Sequence, residues 1–297
     1  MRGFAVSCSG SGEGACGTRS GVPERRRMNR ESSVPGSGRP EQGGVPFDAG
    51  TPSIARVYDY WLDGKDNFAA DREVAEQVRS VVPQVGRQVR DHRDFLVRAV
   101  TYVATQGIIQ FLDLGAGMPV SPSVHDTARA GNPGARVAYV DFDPVVISHA
   151  SALLAGEGVV AVLADLRDPG TVLGSGTVRD LIDPGQPACV ILNAVLHFLP
   201  ARTAQDVTAE YIRGLAPGSY VIISTGRADD DDVWREFSGA YKAGQFYNHS
   251  REEVAGFFDG LELVSPGLTD ASVWRAGWTV PGGRTDSVYV LAGVGRK

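Results

Sequence analysis

The chain has 297 residues, of which 42% are hydrophobic, and a formal net charge of −6. That is enough apolar material for one large α/β core. The acidic balance gives no general attraction for polyphosphate and no local basic patch stands out, so a small-molecule substrate is expected and nucleic acid is not.

Residues 1–50 are rich in Gly, Ser, Pro, Arg and Glu, too poor in apolar side chains to offset the entropy of ordering, and are expected to be a disordered tail. Met28 follows Arg25, Arg26 and Arg27 and is a candidate start of translation. No apolar run of signal-peptide length occurs near the N-terminus, and none reaches the roughly 20 residues that span a bilayer, so the expected location is the cytoplasm, away from membranes. Cys8 and Cys16 lie in the tail and Cys189 in an apolar run, which is neither a disulfide framework nor a metal-ligand spacing.

Order is expected from Thr51-Pro52-Ser53, with Thr51 as helix cap and Pro52 in the first turn. Ile54, Val57, Tyr58, Trp61 and Leu62 then fall on one helical face, and Asp63-Gly64-Lys65-Asp66-Asn67 breaks the pattern. Two further helices are predicted over residues 70–81 and 85–105, separated by Pro83. From residue 108 the pattern changes to short apolar runs at 109–114, 136–141, 159–164, 188–193 and 220–224, alternating with helical ones. That alternation predicts parallel strands with right-handed crossovers, a Rossmann-like doubly wound sheet. Runs at 261–264 and 287–294 predict an antiparallel edge pair, making seven strands. The resulting division is a tail (1–50), a helical segment (51–106) and a ligand-binding domain (107–297).

The first strand ends in Asp113-Leu114-Gly115-Ala116-Gly117-Met118-Pro119. Glycines at this turn let backbone approach a ligand closely. Asp113 discriminates between ligands: a carboxylate there would repel a dinucleotide's pyrophosphate, whereas S-adenosylmethionine has no phosphate and carries an ammonium and a sulfonium. A dinucleotide site would also want glycine where Val120 stands. The second strand delivers Asp141, suited to both ribose hydroxyls. Asp143, followed by Pro144, reads as a helix cap. The third strand ends at Asp165-Leu166, where the carboxylate can accept the adenine amino group and Leu166 can pack on the ring; the alternative is a loop cap. Asn193 ends the fourth strand and joins the same cofactor-binding set.

The sequence resembles the bacterial S-adenosyl methyltransferase family long carried as a domain of unknown function. The matching segments include Pro52-Ser53-Ile54-Ala55-Arg56-Val57-Tyr58-Asp59-Tyr60, Gly64-Lys65-Asp66-Asn67-Phe68-Ala69-Ala70-Asp71-Arg72, and the strand ends at 111–117, 139–144 and 164–169. The resemblance runs from about residue 51 to near the C-terminus. It implies a class I methyltransferase fold, bound S-adenosylmethionine and an N-terminal helical cap, and it names no acceptor. Where many methyltransferases have a third glycine this chain has Pro119, so the loop must leave differently. The resemblance also implies cofactor or substrate contact for Lys65 and Asn67, which from spacing alone read equally well as an exposed turn.

On the acceptor side, Asn193-Ala194-Val195-Leu196-His197-Phe198-Leu199 lacks both the Asp/Asn-Pro-Pro-aromatic sequence of exocyclic-amine methylation and a Pro-Cys nucleophile. His197 is a candidate general base for an oxygen or nitrogen acceptor; the alternative is a packed histidine. Asp229 to Asp232 read as a helix start, Ser250 to Glu253 as a capping box, and no metal site is expected. Residues 234–249 are aromatic-rich and either line the acceptor pocket or pack the core. The expected activity is methyl transfer to oxygen or nitrogen of a small molecule. A non-catalytic S-adenosylmethionine sensor and a nicotinamide-dependent dehydrogenase are the competing readings.

Overall fold

The computed structural model describes residues 48–154, 156–277 and 287–297. Residues 1–47, with Met28, Cys8, Cys16 and most of the expected tail, lie outside the described residues.

Three helices come first: α1 (Ile54–Trp61), α2 (Ala69–Val81) and α3 (Val85–Thr105). Strands and helices then alternate through β1 (Gln110–Leu114), α4 (Val124–Gly131), β2 (Arg136–Asp141), α5 (Pro144–Leu153) and β3 (Val159–Leu163). Next come α6 (Pro169–Gly174), α7 (Gly176–Leu181), β4 (Cys189–Asn193), α8 (Ala201–Gly214) and β5 (Tyr220–Ala228). The chain ends with α9 (Asp231–Ala240), α10 (Arg251–Gly256), β6 (Glu262–Leu263), β7 (Thr269–Asp270) and β8 (Val288–Arg296).

The sheet order is β3-β2-β1-β4-β5-β8-β6, with β1 to β5 mutually parallel and β8 antiparallel to β5. The expected antiparallel pair is present, but a further two-residue strand, β7, also pairs with β8, so the sheet has eight strands. Two residues are too few for periodicity to register. β5 also runs four residues beyond the apolar stretch: Thr225, Gly226, Arg227 and Ala228 continue the ladder to β8 although their side chains do not read as a strand.

Both faces of the sheet are covered, and the two-residue side-chain period sorts each strand between them. Leu112 and Leu114, Val190 and Leu192, and Val221 and Ile223 enter one core with α8 and α10. Phe111, Cys189 with Ile191, and Tyr220 with Ile222 enter the other, against Phe95, Ala99 and Val103 of α3 and Ala128 of α4. A third cluster joins Val57 and Trp61 of α1 and Val74 and Val78 of α2 to Trp234 and Phe237 of α9.

The first helix begins two residues later than a cap at Thr51 predicts. Thr51 Oγ1 instead donates to Asp48 Oδ2 (2.6 Å), and Ser53 is the N-cap residue. The Ser53 N–H is taken by Asp71 Oδ1 from α2 (2.8 Å). Asp71 also accepts from Arg56 Nε (2.8 Å), a buried ion pair that fastens α1 to α2.

Candidate active site

In a doubly wound sheet, ligands bind at the carboxyl ends of the strands where the strand order reverses. Here that point lies between β1 and β4. A cavity of about 790 Å³ opens there, walled by the ends of β1 to β4, by α1 and α3, and by aromatic side chains of α9 and the segment after it.

The turn after β1 forms one end. Gly115 has φ +73°, and a Cβ there would stand 2.4 Å from Val195 Cγ1, so both conformation and space require glycine. Gly117, at φ +66°, has open space where a Cβ would be. Its N–H donates to Asp141 Oδ2 (3.0 Å), and Asp141 Oδ1 accepts from Asp143 N (2.9 Å). Burial raises the Asp141 carboxyl pKa. Asp143 caps α5 through Val145 N (2.8 Å) and accepts from Ser53 Oγ (3.1 Å), linking the turn to α1.

Asp113 is 5% exposed and lines the cavity, yet its carboxylate accepts no hydrogen bond among the described residues. Burial lifts its pKa to about 7, against the opposing pull of Arg93. A buried acid without a partner is costly, and a cationic ligand group would relieve it. Asp165 and Leu166 also line the cavity. Asp165 is engaged by its neighbour: Arg167 Nε stands 2.9 and 2.8 Å from its two oxygens, which lowers its pKa. An adenine amino group would share that carboxylate with Arg167.

Asn193 closes the floor within a chain of side chains that crosses from helix to sheet. Its Oδ1 accepts from Ser224 Oγ (2.9 Å), and Ser224 Oγ lies 2.5 Å from His92 Nε2. His92 Nδ1 lies 3.3 Å from the Tyr58 hydroxyl. Burial drops the His92 pKa to about 4. The neutral ring donates at Nε2 and accepts at Nδ1, so each contact in the chain pairs one donor with one acceptor.

His197 lines the cavity and is buried, but its geometry argues against a general base. Nδ1 accepts from the Gly226 N–H (3.1 Å), which leaves the ring proton on Nε2. Burial holds the pKa well below the ordinary histidine range. The ring stacks on Phe246 with centroids 4.7 Å apart. A neutral Nε2–H is a donor, whereas a base needs a lone pair there. Phe198, Phe237, Tyr241 and Phe246 line the cavity beside it, while Trp234 packs behind them against Phe237.

Lys65 and Asn67 are not brought to the cavity. Lys65 is exposed. Asn67 Nδ2 donates to Asp59 Oδ2 (2.8 Å) and to Gly64 O (3.0 Å), and Asn67 Oδ1 accepts from Arg72 (3.1 Å). Asp59 Oδ2 also accepts from Asp66 N (3.0 Å). A Cβ on Gly64 would sit 2.0 Å from Asp59 Oδ1, so the glycine makes room for the carboxylate. The Gly-Lys-Asp-Asn segment therefore folds around Asp59, and it is Asp59 that reaches the cavity wall. The other local readings agree with the structure: Asp230 caps α9, and Ser250 with Glu253 forms a capping box on α10.

Sequence reasoning missed Tyr58, His92, Arg93 and Ser224 at this site. Gln88 and His92 fall on the same helical stripe as Val85, Val89, Phe95, Leu96 and Ala99. Polar residues on a buried stripe were the available signal.

The sequence profile of the S-adenosyl methyltransferase family matches residues 40–297. The chain belongs to that family. Its fold is similar to that of a candidate methyltransferase from Thermobifida fusca YX, with TM-score 0.78, 36% identity, and 84% of this chain and 96% of that one covered. It is also similar to a DUF574 family protein from Streptomyces avermitilis MA-4680, with TM-score 0.77, 32% identity, and 83% and 98% covered. No curated protein matches the chain. The methyltransferase is thus S-adenosylmethionine-dependent, and the unpartnered Asp113 beside the open Gly117 fits that cofactor. Among the described residues no helix is long and apolar enough to cross a membrane.

Proposed function

We propose that this methyltransferase acts on an oxygen or nitrogen of a small molecule. The observation that carries the reading is that one cavity joins the acid-flanked glycine turn to a chamber walled by Phe198, Phe237, Tyr241 and Phe246. About 790 Å³ lies within the usual range of ligand pockets, roughly 300–1,000 Å³. A cavity of that size suits a cofactor and a compact acceptor better than a polymer.

S-adenosylmethionine supplies a methyl group already activated by its sulfonium. The protein's tasks are therefore to bind, align and exclude water. In this reading Gly115 and Gly117 allow close backbone approach, Asp113 receives the ammonium and Asp141 the ribose hydroxyls. Leu166 packs on adenine, Asp165 takes its amino group, and Asn193 contributes at the β4 end. His197 serves the acceptor as a hydrogen-bond donor. Residues 51–106 act as a cap that shields the site, residues 107–297 carry it, and the protein works in the cytoplasm without nucleic acid.

The test uses methyl-labelled S-adenosylmethionine with the full chain and a cell extract separated into low-mass, protein and nucleic-acid fractions. Label transferred to the low-mass fraction supports the proposal. Label confined to either macromolecular fraction defeats it.

A further inference from the structure

Three arginines line the cavity, and two are already matched by acids. Arg56 pairs with Asp71 at 2.8 Å, and Arg167 pairs with Asp165. Arg93, on α3, makes no ion pair among the described residues. Its Nη2 donates to the carbonyls of Val120 (3.1 Å) and Pro122, which places the guanidinium against the glycine turn. Its Nε is buried with no partner. Arg93 is close enough for its charge to oppose the upward shift of Asp113, yet the two form no salt bridge.

A cation and a carboxylate that flank one end of a cavity, each unpaired and not paired with each other, complement a ligand carrying both charges. An α-amino acid group is such a ligand. Guanidinium suits a carboxylate because it presents several donors in one plane. We infer that Arg93 recognises the α-carboxylate of the cofactor's methionine end while Asp113 receives its ammonium, so that Arg93 makes the site selective for the amino-acid zwitterion. This rests on the cofactor assignment. It adds a selectivity: the decarboxylated cofactor, which keeps adenosine, sulfonium and amine, is rejected. S-adenosylhomocysteine retains the zwitterion and is held by the same pair, so the product competes with the cofactor.

The test is calorimetric titration of the full chain with S-adenosylmethionine and with decarboxylated S-adenosylmethionine. A hydrogen-bonded charge contact predicts about 10- to 100-fold tighter binding of the intact cofactor. Arg93→Met should abolish that preference by weakening the intact cofactor alone, and Arg93→Lys, which keeps the charge, should restore part of it. Equal binding of the two ligands by the wild-type protein overturns the inference and needs no variant, so misfolding cannot obscure it. Equal weakening of both ligands in Arg93→Met also overturns it, because Arg93 would then merely hold the 120–122 turn. Failure of the wild-type protein to bind either ligand would instead strike the cofactor assignment.

Discussion

Replacing Gly64 with alanine tests whether the Gly-Lys-Asp-Asn segment is a structural clasp. The added Cβ would fall 2.0, 2.4 and 2.6 Å from the three carboxyl atoms of Asp59. The carboxylate must swing away, and in doing so it releases Asp66 N and Asn67 Nδ2. Hydrogen bonds to a charged group contribute about 1.5–3 kcal/mol each, and loss of glycine's freedom in the unfolded chain returns about 0.4–1 kcal/mol. The expected net loss is about 2–5 kcal/mol, read from urea unfolding followed by circular dichroism. Asp59→Ala removes the same bonds and leaves room for the Cβ. Gly64→Ala should therefore cost almost nothing more in that background, a coupling well above the few tenths expected of independent sites. Additive costs, or a neutral Gly64→Ala, would refute the clasp.

Lys65→Ala should leave affinity for S-adenosylmethionine unchanged by calorimetry, since the side chain is exposed and away from the cavity wall; a tenfold loss would return it to the site. Gly115→Ala should destabilise by about 1–3 kcal/mol more than Gly117→Ala, because only the former adds overpacking against Val195 to a positive φ. Equal unfolding midpoints would contradict this. The Asp113 carboxyl titrates near 7 when folded against 3.8 ordinarily, so its contribution to stability is complete below 3.8 and fades as pH rises through 7. Asp113→Asn should gain stability over wild type across that window, and cofactor affinity should move oppositely, rising with pH in wild type only. His92 is depressed to about 4 from 6.5, so its contribution is present above 6.5 and lost as pH falls toward 4. His92→Gln should flatten that part of the acid-unfolding curve, and an unchanged curve would show that the ring is not buried neutral.

The sheet was legible because strands buried on both faces read as uninterrupted apolar runs, as 189–193 and 220–224 do. The placement of Asp113, Asp141 and Asp165 on the cavity wall was legible for a related reason: each acid stands at or just beyond the carboxyl end of an apolar run, where such sheets bind ligands. What escaped was set by contacts distant in sequence. His92 meets Ser224 across 132 positions, and neither has a local partner to announce the pair. The tautomer of His197 depends on an N–H at Gly226, in the stretch of β5 that sequence did not mark as strand. The Gly-Lys-Asp-Asn segment reads from spacing as either an exposed turn or a ligand contact, because its actual partner, Asp59, sits inside the preceding helix.

The cavity and the core of the sheet beneath it share one helix. α3 contributes Val85, Gln88, Val89 and His92 to the cavity wall, while Phe95, Ala99, Val100 and Val103 are embedded in the sheet's core. Polar bonds bind it along its length: Gln88 donates to Val288 O, His92 meets Ser224, and Arg98 donates to Trp274 O (2.8 Å). Moving this helix would expose core side chains and strand buried polar atoms together, each a cost of the order of a kcal/mol or more. α1 and α2 are tied to the site by fewer bonds, chiefly Tyr58 to His92 and Ser53 to Asp143, while Arg56–Asp71 joins them to each other. Apolar burial holds them as well, because Val57, Trp61, Val74 and Val78 share one cluster with Val85 and Val89 of α3 and Trp234 and Phe237 of α9. α3 is therefore a wall common to the cavity and the core, and it holds Arg93 and His92 beside the strand ends.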